Sequence, residues 1–382
     1  MDDLVQYLQD REGDMVELLR ELVLMESPSN DTKLTNAMGD YLYKIVNSMI
    51  EADVTRLSGE PYAPHIKAEW GEGDGQLLIV THLDTVWPEG TLEDMPCHIE
   101  TGKLYGPGSF DMKAGIVQAL FAIQAIEQVI QTMDKKVILL MTSDEELGSP
   151  TSKPYIEEEA TKSDAVFVLE PAQGERGALK TARKGVGTYE LKVHGISSHA
   201  GIEPEKGVSA IEELAEQITY LSNLTDIDQG TTVNVGVIDG GSSKNMIAEE
   251  AHAVVDVRVQ SEAEMNRVVS EIETIKPIND GISIDIQGSI YRPPLERTND
   301  SEVLFEHAQA LAKQYLNIEL EEESTGGGSD ANFTASLEPT LDGLGAVGDG
   351  AHAKHEHVII HELPKRSALL AMLLRRYGQV SQ

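Results

Sequence analysis

The sequence predicts an α/β chain in which a small α+β domain is inserted into a larger one. Three observations lead there. Apolar runs at 77–80, 137–141 and 165–169 read as buried strands, with a helical segment at 112–131 between the first two. Beyond Lys184 the pattern turns to strand-like alternation, and the segments then follow the order β-α-β-β-α-β of a ferredoxin-like unit. The 382 residues also exceed the ~50–250 of a typical single domain.

Taken in order, Leu4, Leu8, Met15, Leu18, Leu19 and Leu22 recur at helical spacing, and the turn-forming stretch 27–31 (SPSND) divides two helices within residues 2–50. The three apolar strands alternate with helices, which implies a largely parallel sheet. The inserted unit opens with a strand at 188–194. A helix at 210–221, strands at 231–238 and 251–260, a helix at 263–275 and a strand at 282–286 follow. From about Pro294 helical spacing returns at 303–315, and a glycine-rich loop leads to a last helix at 364–377. The expected domains are therefore 1–183 with 295–382, and 184–294.

Composition narrows the function. Hydrophobic residues at 40% and charged residues at 25% exclude a disordered or fibrous chain. A net charge of −35 should repel nucleic acid and anionic membrane surfaces, so neither is an expected partner. The acid is spread along the chain, which fits either high solubility or adaptation to a salty cytoplasm. No apolar run approaches the ~20 residues of a membrane span and the first residues lack a signal peptide's pattern, so a cytoplasmic protein is expected. The single cysteine, Cys97, excludes an internal disulfide framework and an all-thiolate metal site.

Acid and imidazole residues follow the apolar strands or lie in loops, where open α/β sheets place their ligands. In Val80-Thr-His82-Leu-Asp84, a strand would put His82 and Asp84 on one side, so that His82 binds a metal while Asp84 holds its other ring nitrogen; an ordinary hydrogen-bonded pair is the alternative. Asp111, in Gly-Ser-Phe-Asp111-Met-Lys113, reads as a ligand or as a helix N-cap. Asp144-Glu145-Glu146 reads as a ligand beside a proton acceptor or as a solvated loop, and Glu170 as a ligand or an exposed strand end. His352, His355 and His357 crowd one loop, where exposed histidines are the alternative. As a set, two imidazoles and three carboxylates can complete two N/O metal sites sharing a bridging acid, which suits zinc first and cobalt or manganese next.

Together these motifs resemble the zinc aminopeptidase-like amidohydrolases, a family that includes glutamate carboxypeptidase, aminoacylase, acetylornithine deacetylase and succinyl-diaminopimelate desuccinylase. Glutamate carboxypeptidase is the nearest of them. His82-Leu-Asp84-Thr-Val, Gly-Ser-Phe-Asp111-Met-Lys, Asp144-Glu145-Glu146-Leu-Gly, Leu-Glu170-Pro and His352-x-x-x-Glu356-His-Val occur in the family's order and spacing, and the resemblance spans nearly the whole chain. It implies a zinc-aminopeptidase-like catalytic domain with an inserted ferredoxin-like lid and dimerisation domain, and two zinc ions per subunit. By the same resemblance Asp111 bridges the ions, His82 and Glu170 complete one site, Glu146 and His352 complete the other, Glu145 is the general base and Asp84 orients His82. His355 and His357 match no ligand position.

In the inserted domain, Ser197-Ser-His199-Ala-Gly201 resembles the family's lid motif, which implies that His199 reaches across a homodimer to stabilise the oxyanion; an ordinary loop histidine is the other reading. Asn245 and Arg258 resemble substrate-holding lid residues, and Arg258 reads equally as a surface ion-pair partner. Arg258 or Arg292 could grip a substrate carboxylate bidentately. Gly326, Gly327 and Gly328 resemble a catalytic-domain loop that offers backbone N–H groups to that carboxylate, or, without the resemblance, form a flexible linker. The implied function is amide hydrolysis of small peptides or N-acyl amino acids, with a glutamate-type carboxypeptidase leading, a deacylase such as acetylornithine deacetylase second, and a non-catalytic dimeric binding protein as the rival of another class.

Overall fold

The computed structural model describes residues 1–379, which divide into two compact units. Met1–Ala182, Arg297–Ser324 and the chain from Ser329 onward form the first; Arg183–Glu296 and Thr325–Gly328 form the second.

The first unit is built on a six-stranded sheet in the order Ala52–Leu57, His65–Trp70, Lys135–Thr142, Gly75–His82, Ser163–Val168, Thr340–Leu341. The last four run parallel, as the alternation of apolar strands with helices implies. The first two pair antiparallel with each other, and His65–Trp70 pairs antiparallel with Lys135–Thr142, so the sheet is mixed where a largely parallel one was expected. That edge hairpin left little trace in the sequence because Ala52–Leu57 is half-exposed along its length and carries no apolar run.

Three helices precede the sheet instead of two: Asp2–Gln9, Glu12–Leu24 and Thr32–Met49. The unexpected break falls at Asp10–Arg11, where no glycine or proline interrupts the apolar spacing. The third begins as anticipated after the SPSND turn, with the Asp31 carboxylate accepting from the Lys33 and Leu34 N–H groups at 3.0 Å. Helix Ala114–Ala125 is buried all round, against the N-terminal helices and the last helix, Leu363–Tyr377. With its flanking turns it forms a helical stretch, Ser109–Ile130, long and apolar enough to cross a membrane by length and composition. Asp111, Lys113 and Gln118 break the continuous apolar run that a membrane span shows in sequence, and the stretch is 72% buried within the unit, as a core helix is.

Register places the site. His82 lies beside Thr142 and Val80 beside Val168, so the loops that follow three adjacent parallel strands leave the sheet at one end.

The second unit has the predicted β-α-β-β-α-β order: Gly185–His194, Ala210–Ser222, Thr232–Gly240, Glu250–Val259, Glu262–Glu273 and Ser283–Arg292. Its four strands pair antiparallel throughout, with Thr232–Gly240 and Ser283–Arg292 at the edges. One sheet face, carrying Tyr189, Leu191, Val255 and Val257, packs on Leu221 and on Val268 and Ile272 of the two helices. Both helices start on serine caps, Ser209 accepting from Glu212 N–H and Ser261 from Glu264 N–H.

Candidate metal centre

Loops following three neighbouring strands, together with two further loops of the first unit, bring the predicted ligands together. His82 ends its strand, Glu145 and Glu146 stand in the turn after Thr142, and Glu170 follows Val168 by two residues. Asp111 sits just before helix Ala114–Ala125, but its carboxylate caps no helix; it faces two imidazoles. His82 Nε2 lies 3.3 Å from Asp111 Oδ1 and His352 Nε2 lies 3.4 Å from Asp111 Oδ2. Glu170 Oε1 is 3.6 Å from His82 Nε2, and Glu146 Oε1 is 3.2 Å from His352 Nε2. Ligand atoms of His82, Asp111 and Glu146 lie within 4.8 Å of one another, as do those of His82, Glu145 and Glu170, so each trio could hold a metal ion. His352 is held there with φ +58°, a left-handed conformation that a non-glycine residue adopts at a cost of about 1–3 kcal/mol.

Asp84 acts differently from the expected side-chain clamp. It lies beyond the strand end, and its backbone carbonyl takes the His82 Nδ1 contact at 3.0 Å while its carboxylate Oδ1 stands 3.5 Å away. Because a carbonyl only accepts, Nδ1 carries a proton, which leaves Nε2, facing Asp111 and Glu170, as the nitrogen that could bind a metal ion. The Asp84 carboxylate instead accepts the backbone N–H groups of Glu145 and Glu146 at 3.3 and 3.2 Å. One buried residue thereby aligns His82 and both glutamates.

The charges of the cluster call for a cation. Burial opposes protonation of His82, yet its bonds to Asp111 and Asp84 outweigh burial and carry its pKa well above the ordinary 6.5. Bonds to Asp111 and then Glu146 raise His352 to about 10. Burial raises Asp111, but the two imidazoles overcome it and hold its carboxyl far below the usual range; burial and the charge of Asp111 push Glu146 up. The carboxylates around Nε2 of both imidazoles favour positive charge there, and a divalent ion could supply it in place of protons, as the chemistry of N/O metal ligands requires.

Several supporting residues escaped the sequence reading. The fully buried Glu356 accepts from Trp87 Nε1 at 2.7 Å, Gly108 N at 2.9 Å, and Phe110 N and Asp111 N at 3.0 Å each. Gly108 turns at φ +70°, where an added Cβ would stand 2.6 Å from Thr85 Cγ2. Buried His65 accepts from Ser143 N at 3.1 Å through Nδ1 and meets Thr151 Oγ1 at 3.2 Å, and Thr151 donates to Asp144 at 2.6 Å. Asp330 accepts from Thr142 Oγ1 at 3.2 Å and from Ser149 Oγ, bracing the turn that carries Glu145 and Glu146. Glu356 was visible as part of the His352 motif, whereas His65 carries no motif and Asp330 stood only at the end of the glycine run. His355 and His357 lie apart as expected: His357 packs its ring 5.0 Å from Tyr105, and His355 is exposed beside Asp349.

In the second unit, His199 is exposed and its Nδ1 accepts from Gly201 N–H at 3.1 Å. Its loop is joined to that of Asn245, since Ala200 N–H donates to the Asn245 carbonyl at 3.0 Å. The Arg258 guanidinium forms a two-point pair with Asp256, 3.1 Å at both contacts. Arg292 is buried at the end of its strand. A catalytic-domain loop was expected of the glycine run, but it groups with this unit instead, because Arg183 Nη1 donates to the Gly327 and Gly328 carbonyls at 3.0 and 3.2 Å and Gly328 stands against the Arg292 stem. Around Gly326 there is open space.

An α/β sheet with imidazoles and carboxylates gathered at the ends of its parallel strands defines a metal-binding hydrolase. Residues 78–376 match Peptidase family M20/M25/M40, and the chain belongs to it as a hydrolytic enzyme. Carboxypeptidase G2 of Pseudomonas sp. (strain RS-16) is 28% identical over 385 residues, covering 98% of this chain and 92% of that protein. Acetylornithine deacetylase of Myxococcus xanthus is also 28% identical, over 82% of this chain and 83% of its own. Among solved structures, the Bacillus subtilis YXEP protein, described as a dinuclear metal binding peptidase from the M20 family, matches with a TM-score of 0.66 at 14% identity, over 96% of this chain and 98% of that one.

Proposed function

We propose that this enzyme hydrolyses the amide bond of a small peptide or N-acyl amino acid at a pair of zinc ions, with carboxypeptidase action toward glutamate-like C-terminal residues as its leading activity. The observation that carries the reading is Asp111, whose two oxygens face different imidazoles at 3.3 and 3.4 Å. Asp111 would bridge, with His82 and Glu170 on one side and Glu146 and His352 on the other. Four carboxylates, counting Glu145, and two neutral imidazoles balance the charge of two divalent cations, and that donor set suits zinc, with cobalt or manganese able to substitute.

When bound, such ions lower the pKa of a shared water toward about 7 and polarise the scissile carbonyl. Glu145 takes the proton of the attacking water on its carboxylate and returns it to the leaving amine nitrogen. Asp84 keeps His82 in the tautomer that exposes Nε2 and holds the backbone of Glu145. We assign His199, acting from the second copy of a homodimer, to the oxyanion, and Asn245, Arg258, Arg292 and the backbone of Gly326, Gly327 and Gly328 to the substrate's carboxylate end. The homodimer is supported by the free edge of strand Thr232–Gly240, where Val237 and Ile238 are 54% and 59% exposed. A cytoplasmic location belongs to the same proposal and fits a chain with one cysteine.

The carboxypeptidase G2 likeness, over 98% of this chain and 92% of that protein, favours the carboxypeptidase reading. The deacetylase of equal identity supports N-acyl amino acid deacylation as the second reading. A hydrolysis panel of acyl-glutamates, dipeptides, acetylornithine and succinyl-diaminopimelate with added zinc, cobalt or manganese decides between them. The expected result is highest kcat/KM on a glutamate-terminated substrate; preference for acetylornithine selects the deacylase, and no turnover of any substrate by metal-loaded protein revives the non-catalytic binding protein.

A further inference from the structure

We propose that Glu356 is a positioning residue that sets the metal affinity of the centre by holding Asp111 between the two imidazoles; the inference rests on the metal reading above. Four donors from two different loops converge on this buried carboxylate. Oε2 accepts from Trp87 Nε1 and Gly108 N, and Oε1 accepts from Phe110 N and Asp111 N. Its own backbone carbonyl accepts from Gly106 N at 3.3 Å, so the loop that delivers Asp111 is held at both its start and its end. Trp87 stands five residues beyond His82, on the loop that follows that strand. Glu356 itself closes the turn that carries His352, through Ala353 N to Gly350 O at 2.8 Å and Glu356 N to Ala353 O at 2.9 Å. One side chain therefore ties together the loops of His82, Asp111 and His352.

The chemistry demands a carboxylate in particular. Both oxygens accept two N–H groups each, and three of the four donors are backbone groups of one loop that cannot turn away without moving it. A glutamine has the same length, but whichever way its amide is turned, its NH2 faces two N–H donors and leaves them without an acceptor. The loop must then shift, and the Asp111 carboxylate with it. Removal of partners that orient metal ligands typically weakens metal binding by about 10–100-fold.

The test uses full-length Glu356→Gln and Trp87→Phe, the latter removing one of the four donors. Zinc dissociation constants are measured by chelator competition, the visible spectrum of the cobalt-loaded protein reports ligand geometry, and the melting temperature of the metal-free protein reports the fold. We expect Glu356→Gln to raise the zinc dissociation constant about 10–100-fold and to alter the cobalt spectrum. Trp87→Phe should do the same more weakly, with kcat falling in both and KM changing little. A Glu356→Gln protein that melts earlier but binds zinc with wild-type affinity and shows a wild-type cobalt spectrum overturns the proposal, leaving Glu356 a purely structural residue. Should that variant fail to fold, unaltered affinity and spectrum in Trp87→Phe overturn it instead. A wild-type protein that binds neither zinc nor cobalt overturns the metal reading itself, which is a separate outcome.

Discussion

The loop cluster of the first unit and the lid residues of the second are built on opposite terms. His82, Asp84, Glu145 and Glu170 are buried, and backbone or carboxylate partners brace the turns that carry Asp111, Glu145 and Glu146. His199 and Asn245 are exposed on two loops that bond to each other, and Arg258 is half-exposed and occupied by Asp256 two residues away. The contrast fits the roles proposed above. Metal ligands work only if a rigid frame holds negative groups close together against their repulsion, whereas groups that meet a substrate must be free to move onto it.

The sharpest way to break this comparison is Glu145→Ala. It is expected to lower kcat by about 10²–10⁴-fold while metal analysis still finds zinc bound, because the residue's proposed work is proton transfer. Loss of zinc and activity together would falsify its assignment as base and make it a structural member of the cluster.

His199→Ala probes the opposite region. The expected outcome is a fall in kcat of about 10²–10³-fold, the usual worth of one oxyanion donor, with zinc affinity and melting temperature unchanged. A change in zinc affinity would erase the division between the two regions.

The frame of the cluster also has a pH signature. Burial lowers the pKa of His65, whose neutral Nδ1 accepts the Ser143 N–H. The unfolded chain binds this proton more readily than the folded one, so its contribution is fully present above the unfolded value of about 6.5 and is lost as pH falls toward the depressed folded value. Thermal melts between pH 7.5 and 5 should show stability declining on the acid side by up to about 1.4 kcal/mol per pH unit from this group, and His65→Gln should flatten that decline. An identical acid limb in the variant would remove His65 as the cause.

The smallest effect is expected for Arg258→Ala. An exposed pair such as Arg258 with Asp256 contributes about 0–1 kcal/mol, so denaturant midpoints should hardly move. Steady-state kinetics on a carboxylate-bearing substrate should show KM rising with kcat nearly constant; an unchanged KM would leave Arg258 as the ion-pair partner alone.

Much of this was legible in the chain. The three apolar strands, the helix behind Asp111 and the β-α-β-β-α-β unit declared themselves because each has one strongly periodic or continuously apolar face. The edge hairpin did not, since Ala52–Leu57 is half-exposed and the mostly buried His65–Trp70 mixes His, Lys and Glu with its apolar residues. The ligands were readable because histidine and acids directly after buried strands form compact motifs. Glu356 and Asp330 were in view without a role, because a carboxylate that accepts distant backbone N–H groups looks like any other acid in a one-dimensional string. Asp84 was read as a side-chain partner of His82, but the strand ends at His82, two residues before Asp84, and the carbonyl makes the closer contact.

By itself the sequence determined which residues could carry hydrolytic chemistry and which segments would be buried, since both depend on side-chain type and local spacing. Only the tertiary structure decided that Asp111 faces both imidazoles, that His82 presents Nε2, and that Glu356 holds the loop behind them. Those outcomes depend on contacts between residues up to 269 positions apart, as for Glu356 and Trp87, where no local preference acts and packing alone sets the distance.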